Sequence, residues 1–139
     1  MHHLMLITIT MSDGATSQDA RLRVYSKLVD DPSFCGEGRR FRSPLADWFV
    51  IGGHWSGFLA STGIGSDAVQ RDADHQYGTD ADAMLVDRTL YDTFLSPFAG
   101  EDQQLSGRNS RPDFADLDGD EVNESFIGRK WLIVVDYHN

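Results

Sequence analysis

Apolar blocks along the chain alternate with polar, glycine-bearing stretches, and two segments show helical spacing. Leu4 to Met11 (LMLITITM) is apolar at nearly every position and rich in β-branched residues, the pattern of a strand covered on both faces. Ser12-Asp13-Gly14 breaks it. Thr16 followed by Asp19 has capping-box spacing and predicts a helix running to about Val29. Ala20, Val24 and Leu28 recur every four residues there, with Leu22, Tyr25 and Val29 widening the stripe, and Asp30-Asp31-Pro32 ends it. Asp47 to Ile51 (DWFVI) and Trp55 to Ala60 (WSGFLA) have strand chemistry. Gly52-Gly53-His54 between them predicts a hairpin, since paired glycines supply the positive φ of a tight reversal. Thr79 with Asp82 repeats the capping pattern and predicts a second helix to about Leu95, lined by Met84, Leu85, Arg88, Tyr91 and Leu95. Phe126 to His138 closes the pattern as a strongly apolar strand.

The order strand, helix, strand, strand, helix, strand predicts an α+β fold of the ferredoxin-like split β-α-β type (βαββαβ), with two helices on one face of the sheet. Residues 61–78 and 100–124 enter as two long polar insertions. One feature sits badly with this arrangement. The last strand is apolar on both faces yet would lie at an edge, so either the insertions cover it or it pairs across a homodimer. A sandwich or barrel is the alternative, because long loops can hide short strands.

Length and composition narrow the class. The 139 residues, 40% hydrophobic and 24% charged, fit a single domain spanning 1–139. The longest apolar stretch, Trp131 to Val135, is far short of the roughly 20 residues of a membrane span, and no signal peptide is visible. The single Cys35 excludes an internal disulfide. A cytoplasmic protein without membrane contact is expected.

The net charge of −10 is concentrated in one stretch. Residues 1–66 carry six acids and six bases, whereas residues 67–124 carry fifteen acids and four bases. Such a field repels phosphate backbones, which argues against direct nucleic-acid binding, and attracts basic surfaces. Eighteen of the acids are Asp, a skew that codon composition alone can produce, and an acidic surface also serves solubility without any partner.

The densest chemistry lies at Asp47 to Gly57, where Trp48 and Trp55 bracket the glycine turn beside His54, Asp47 and Ser56. Aromatic faces and a bare glycine backbone suit a planar ligand such as a nucleotide, and Arg39, Arg40 and Arg42 lie just upstream. The plainer reading is a rigid hairpin with both tryptophans in the core. The string D-W-x-x-I-G-G-H-W-x-G, with Val135-Asp136-Tyr137-His138 near the end, resembles a group of small uncharacterised proteins of phages, prophages and actinobacterial genomes. The resemblance covers about fifteen residues and implies a mobile-element setting. The chain has His54 where such proteins carry arginine and Tyr137 where they carry cysteine, which weakens any metal or cation-binding role for those positions.

Asp116-x-Asp118-Gly119-Asp120-Glu121 has the flavour of a calcium loop, but its glycine is fourth rather than sixth and its twelfth position is Ile127, so a solvated acidic loop is expected. No metal or cofactor is expected. Cys35 sits near Arg39 and Arg40 in a glycine-bearing loop, where cations could lower the pKa of a thiol, but an incidental cysteine is the favoured reading.

Three functions remain, in this order. The first is a non-enzymatic acidic module whose Asp113, Asp116, Asp118, Asp120 and Glu121 dock on the basic surface of a nucleic-acid-binding complex, as a mobile-element inhibitor imitating nucleic-acid charge. The second is a small-ligand binder using Trp48, His54, Trp55, Arg39 and Arg40. The third is an enzyme built on Asp47, His54, Asp136 and His138.

Overall fold

A computed structural model describes residues 2–31, 48–59, 78–99 and 113–138. The apolar opening run forms β1 (His2–Thr10), and the closing run forms β5 (Lys130–His138). The two pair antiparallel along their whole length, from His2 opposite His138 to Thr10 opposite Lys130. On the other side of β5 lie two short strands placed end to end. β2 (Trp48–Ile51) pairs with residues 135–138, and β3 (Ala83–Leu85) with residues 131–133, both antiparallel. β4 (Asp113–Asp116) runs parallel to β1 on the far side. The sheet order is β2-β5-β1-β4, with β3 also on β5.

This order explains the composition of the last strand. β5 is paired along both edges within the chain and covered on both faces, so its apolar run needs no homodimer to account for it. On one face Met5, Ile7 and Ile9 of β1 and Ile133, Val135 and Tyr137 of β5 pack with Ala20, Val24 and Leu28 of α1 (Ser17–Val29). On the other, Leu6, Leu132 and Val134 pack with Leu90, Tyr91, Leu95, Phe98 and Phe126. The expected α+β class holds. The helices, however, lie on opposite faces, where the ferredoxin-like arrangement expects both on one.

Local signals succeeded where the partner was local. Thr16 caps α1 as expected: its hydroxyl accepts from the Asp19 N–H at 3.1 Å, and the Asp19 carboxylate accepts from the Thr16 N–H at 2.9 Å. The same reciprocal box exists at Thr79 and Asp82, but it opens only a 3-10 turn, Asp80–Asp82. Ala83–Leu85 then pairs with β5, because an apolar strand edge offers these residues backbone bonds and burial that outweigh their helical preference. The second helix starts later, at α2 (Arg88–Leu90), where the Asp87 carboxylate accepts from the Leu90 N–H at 2.7 Å. It continues as a π turn (Tyr91–Leu95) and a 3-10 turn (Ser96–Phe98).

Gly52 and Gly53 take the positive φ expected of them, 75° and 54°. They do not make a hairpin. The Gly52 N–H donates to the Val134 carbonyl at 2.7 Å, and the chain then coils into a 3-10 turn, Gly53–Trp55, and further turns to Leu59. Among the described residues, no helix is long and apolar enough to cross a membrane.

Candidate functional site

Two groups of carboxylates, both on the α2 side of the sheet or beside it, organise the polar chemistry of the described residues. The first surrounds the glycine coil. Asp82 is fully buried, and its carboxylate accepts from the Ser56 hydroxyl at 2.9 and 3.0 Å, the Gly57 N–H at 3.2 Å and the Thr79 N–H at 2.8 Å. Asp136, also buried, accepts from the His54 N–H at 2.8 Å. The coil thus hands its amide protons to a carboxylate on each side, one from β5 and one from the turn before β3.

The glycines are required by this closeness. A Cβ at Gly52 would stand 2.3 Å from Asp82 Oδ2, and one at Gly53 would stand 2.6 Å from Asp136 Oδ2. Both contacts are shorter than any side chain tolerates, and both positions are left-handed. The signature G-G-H-W-x-G is therefore the fold's way of bringing backbone donors onto two buried carboxylates. Nearby, Arg21 on α1 donates to the Gly78 carbonyl at 2.9 Å and pairs with Asp80 at 2.7 Å, tying the helix to the turn that presents Asp82.

The second group lies at the opposite end of β5. The Lys130 side chain is wholly buried, and its ammonium sits 3.0 Å from Asp116, 2.8 Å from Asp118 and 2.8 Å from Asp120. It also lies 5.0 Å from the centre of the buried Phe126 ring. The remaining valences of the cage are filled locally. Thr8 Oγ1 donates to Asp116 at 2.6 Å, the Thr10 N–H to Asp118 at 2.7 Å, and the Asp120 N–H to Asp116 at 2.7 Å. The three carboxylates lie close enough together to hold a metal ion, but the cation they enclose is the protein's own lysine. The loop is exposed at Asp118 and Asp120, as expected, but Asp116 to Asp120 also form a clasp around an ammonium.

Protonation follows from this geometry. Burial by itself pushes the Asp118 carboxyl up, but hydrogen bonds from Lys130 and Thr10 hold it below the ordinary carboxylate range overall. The hydrogen bond and charge of Lys130 hold Asp120 below it as well. Burial pulls the Lys130 ammonium down, yet its three carboxylate partners leave it above the usual lysine value. On the α1 side, burial and the hydrogen bond it donates to Asp113 push the Tyr137 hydroxyl up, and the His3 ring stacks on Tyr137 at 4.9 Å.

The candidate residues are placed as follows. His54 meets Asp136 through its backbone N–H, and its exposed ring packs edge-on against Trp55 at 4.9 Å. His138 lies two residues beyond Asp136 on β5, opposite Trp48 in register. Trp55 is half-buried and packs at the margin of the α2-side core. Asp47, Arg39, Arg40, Arg42 and Cys35 lie outside the described residues. Of the acidic candidates, Asp116, Asp118 and Asp120 hold Lys130, Asp113 accepts from Tyr137, and Glu121 is exposed. Asp82 and Lys130 are the residues that sequence reasoning missed. A lone lysine opening an apolar strand, ten to fourteen residues after three alternating aspartates, is the signal that could have found the clasp. Comparison with protein-family models, with curated proteins and with solved structures finds no match.

Proposed function

We propose that this protein is a non-enzymatic acidic module that docks on the basic surface of a partner, acting as a mobile-element inhibitor of a nucleic-acid-binding complex. One observation carries this reading. The end of the molecule built from residues 86–98 and 113–130 keeps a surplus of five negative charges even after its internal pairs are counted, eight acids against three bases. By contrast, residues 2–31 carry four acids and three bases. Beyond the clasp, Glu124 and Asp92 share Arg88 on the exposed rim, and Glu121 stands exposed beside them in sequence. A field of this sign speeds encounter with a basic surface and weakens with salt.

The buried carboxylates support a non-enzymatic role in a second way. The donors around Asp82 are a hydroxyl and backbone amides that the fold itself supplies, a structural use of the group.

The test uses the exposed rim and leaves the clasp intact. Reversing Asp92, Glu121 and Glu124 to Lys changes the local charge by six, and surface pairs of this kind contribute little to stability. Association with a basic partner isolated from the host should slow at least about tenfold at low salt, with the thermal transition nearly unchanged. A folded triple variant that associates at the wild-type rate would overturn the proposal.

A further inference from the structure

The partner's manner of docking can be taken one step further, from the rim of the sheet nearest this charge. β4 is an outer strand: it pairs with β1 alone among the described residues. The Leu117 N–H donates to the Thr8 carbonyl at 2.9 Å, which sets the alternation of the parallel ladder. Odd-numbered residues of β4 therefore bond to β1, while the N–H and C=O of Phe114 and the N–H of Asp116 point away from the sheet.

This edge is held ready. Phe114 stacks on Phe98 at 4.9 Å, and Asp116 is fixed by Thr8 and Lys130. A bound segment would not have to order the strand, which removes part of the entropic cost of binding. The edge is also bracketed by charge, with Asp113 at its start and Asp118, Asp120 and Glu121 just past its end. Those acids discriminate between occupants. A second copy of β4 would set carboxylates against carboxylates, the device by which edge strands avoid self-pairing. A segment bearing lysine or arginine meets opposite charge at both ends. On the other rim the acids flanking β3 are engaged within the fold: Asp82 is buried against Ser56 and Gly57, Asp80 pairs with Arg21, and Asp87 caps α2.

We infer that β4 accepts an extended basic segment of the partner as an added strand. The inference rests on the acidic-docking reading above and names the partner chemistry and geometry it requires: a backbone free to hydrogen-bond, with cationic side chains at either end.

The probe is a synthetic hexapeptide alternating lysine and valine, titrated into the full chain at low salt, with amide hydrogen exchange read residue by residue. Exchange at Phe114 and Asp116 should slow at least about tenfold. A peptide of the same sequence N-methylated at alternate residues keeps its charge but loses one edge's donors. When the methylated edge is the one facing β4, affinity should fall at least about tenfold. If both N-methylated isomers bind as tightly as the parent and those amides exchange at the free rate, strand addition is overturned while acidic docking stands. If neither parent nor methylated peptide binds at low salt, both readings fall together.

Discussion

The two carboxylate groups solve the same problem with opposite means. Asp82 and Asp136 are buried against amides and a hydroxyl, so their oxygens are satisfied by neutral dipoles, most of them from a glycine-rich coil. Asp116, Asp118 and Asp120 surround a full positive charge. Dipoles demand geometry: each must be aimed, and the coil needs two glycines where any Cβ would strike a carboxylate. A charge demands only proximity, which is why a loop with one glycine and alternating aspartates suffices for the clasp. The first arrangement is therefore intolerant of side-chain volume, the second of lost charge.

The sharpest way to break that contrast is to remove the ammonium. Lys130→Met keeps most of the buried volume but leaves three carboxylates facing one another, and removing one partner of a buried ion pair costs about 3–5 kcal/mol. Adding Asp118→Asn and Asp120→Asn should recover part of that loss by relieving the repulsion. Chemical denaturation measures both, and a single variant within about 1 kcal/mol of wild type would show that the clasp is not where the charge is balanced.

Asp82→Ala probes the neutral group and should cost less. It orphans the Ser56 hydroxyl and the Gly57 and Thr79 amides, for a loss of about 2–3 kcal/mol by the usual cost of unsatisfied buried donors. Because these donors carry no net charge, the loss should be nearly independent of salt in denaturation midpoints. A loss that grows or shrinks steeply between low and high salt would place a charge near Asp82 and remove the distinction.

The smallest effect is in pH. Asp118 and Asp120 sit below the ordinary carboxylate value, so their contribution is present above about pH 4 and fades as pH falls through their lowered folded values. Lys130 sits above its ordinary value, so its contribution is complete below about pH 10 and fades only as pH rises through that raised value. A stability plateau between these limits is expected in wild type. Its acid limb should flatten in Lys130→Met, since the carboxylates then lose the partner that lowers them. Identical acid limbs in urea midpoints would contradict the assignment.

Much of the backbone was legible because its causes are local or strongly patterned. The Thr16 box, the α1 stripe and the two long apolar runs need only neighbours in sequence or a generic buried environment. β3 and β4 were illegible for the converse reason. Ala83–Leu85 has a helical cap before it and becomes a strand through β5, some fifty residues on, while Asp113–Asp116 lies inside a polar run and is drawn into the sheet by β1. The glycine turn was located correctly by its φ requirement, yet its shape depends on Asp82 and Asp136, which no local pattern connects to it. The lysine inside this exposed acidic loop was illegible because it follows the loop by ten residues or more and sits at the start of an apolar strand.

The pairing pattern of β5 also sets the order in which this protein can be made. β1 has its antiparallel partner more than a hundred residues away, its parallel partner β4 is similarly remote, and β2 and β3 have no described pairing except to β5. Among the described residues no two strands consecutive in the chain pair, so none of them is zipped together by a short turn. A nascent chain on the ribosome therefore carries LMLITIT without its antiparallel partner until residues 130–138 emerge. Such non-local topology makes folding slow and puts the exposed opening strand in reach of chaperones or aggregation for seconds rather than milliseconds.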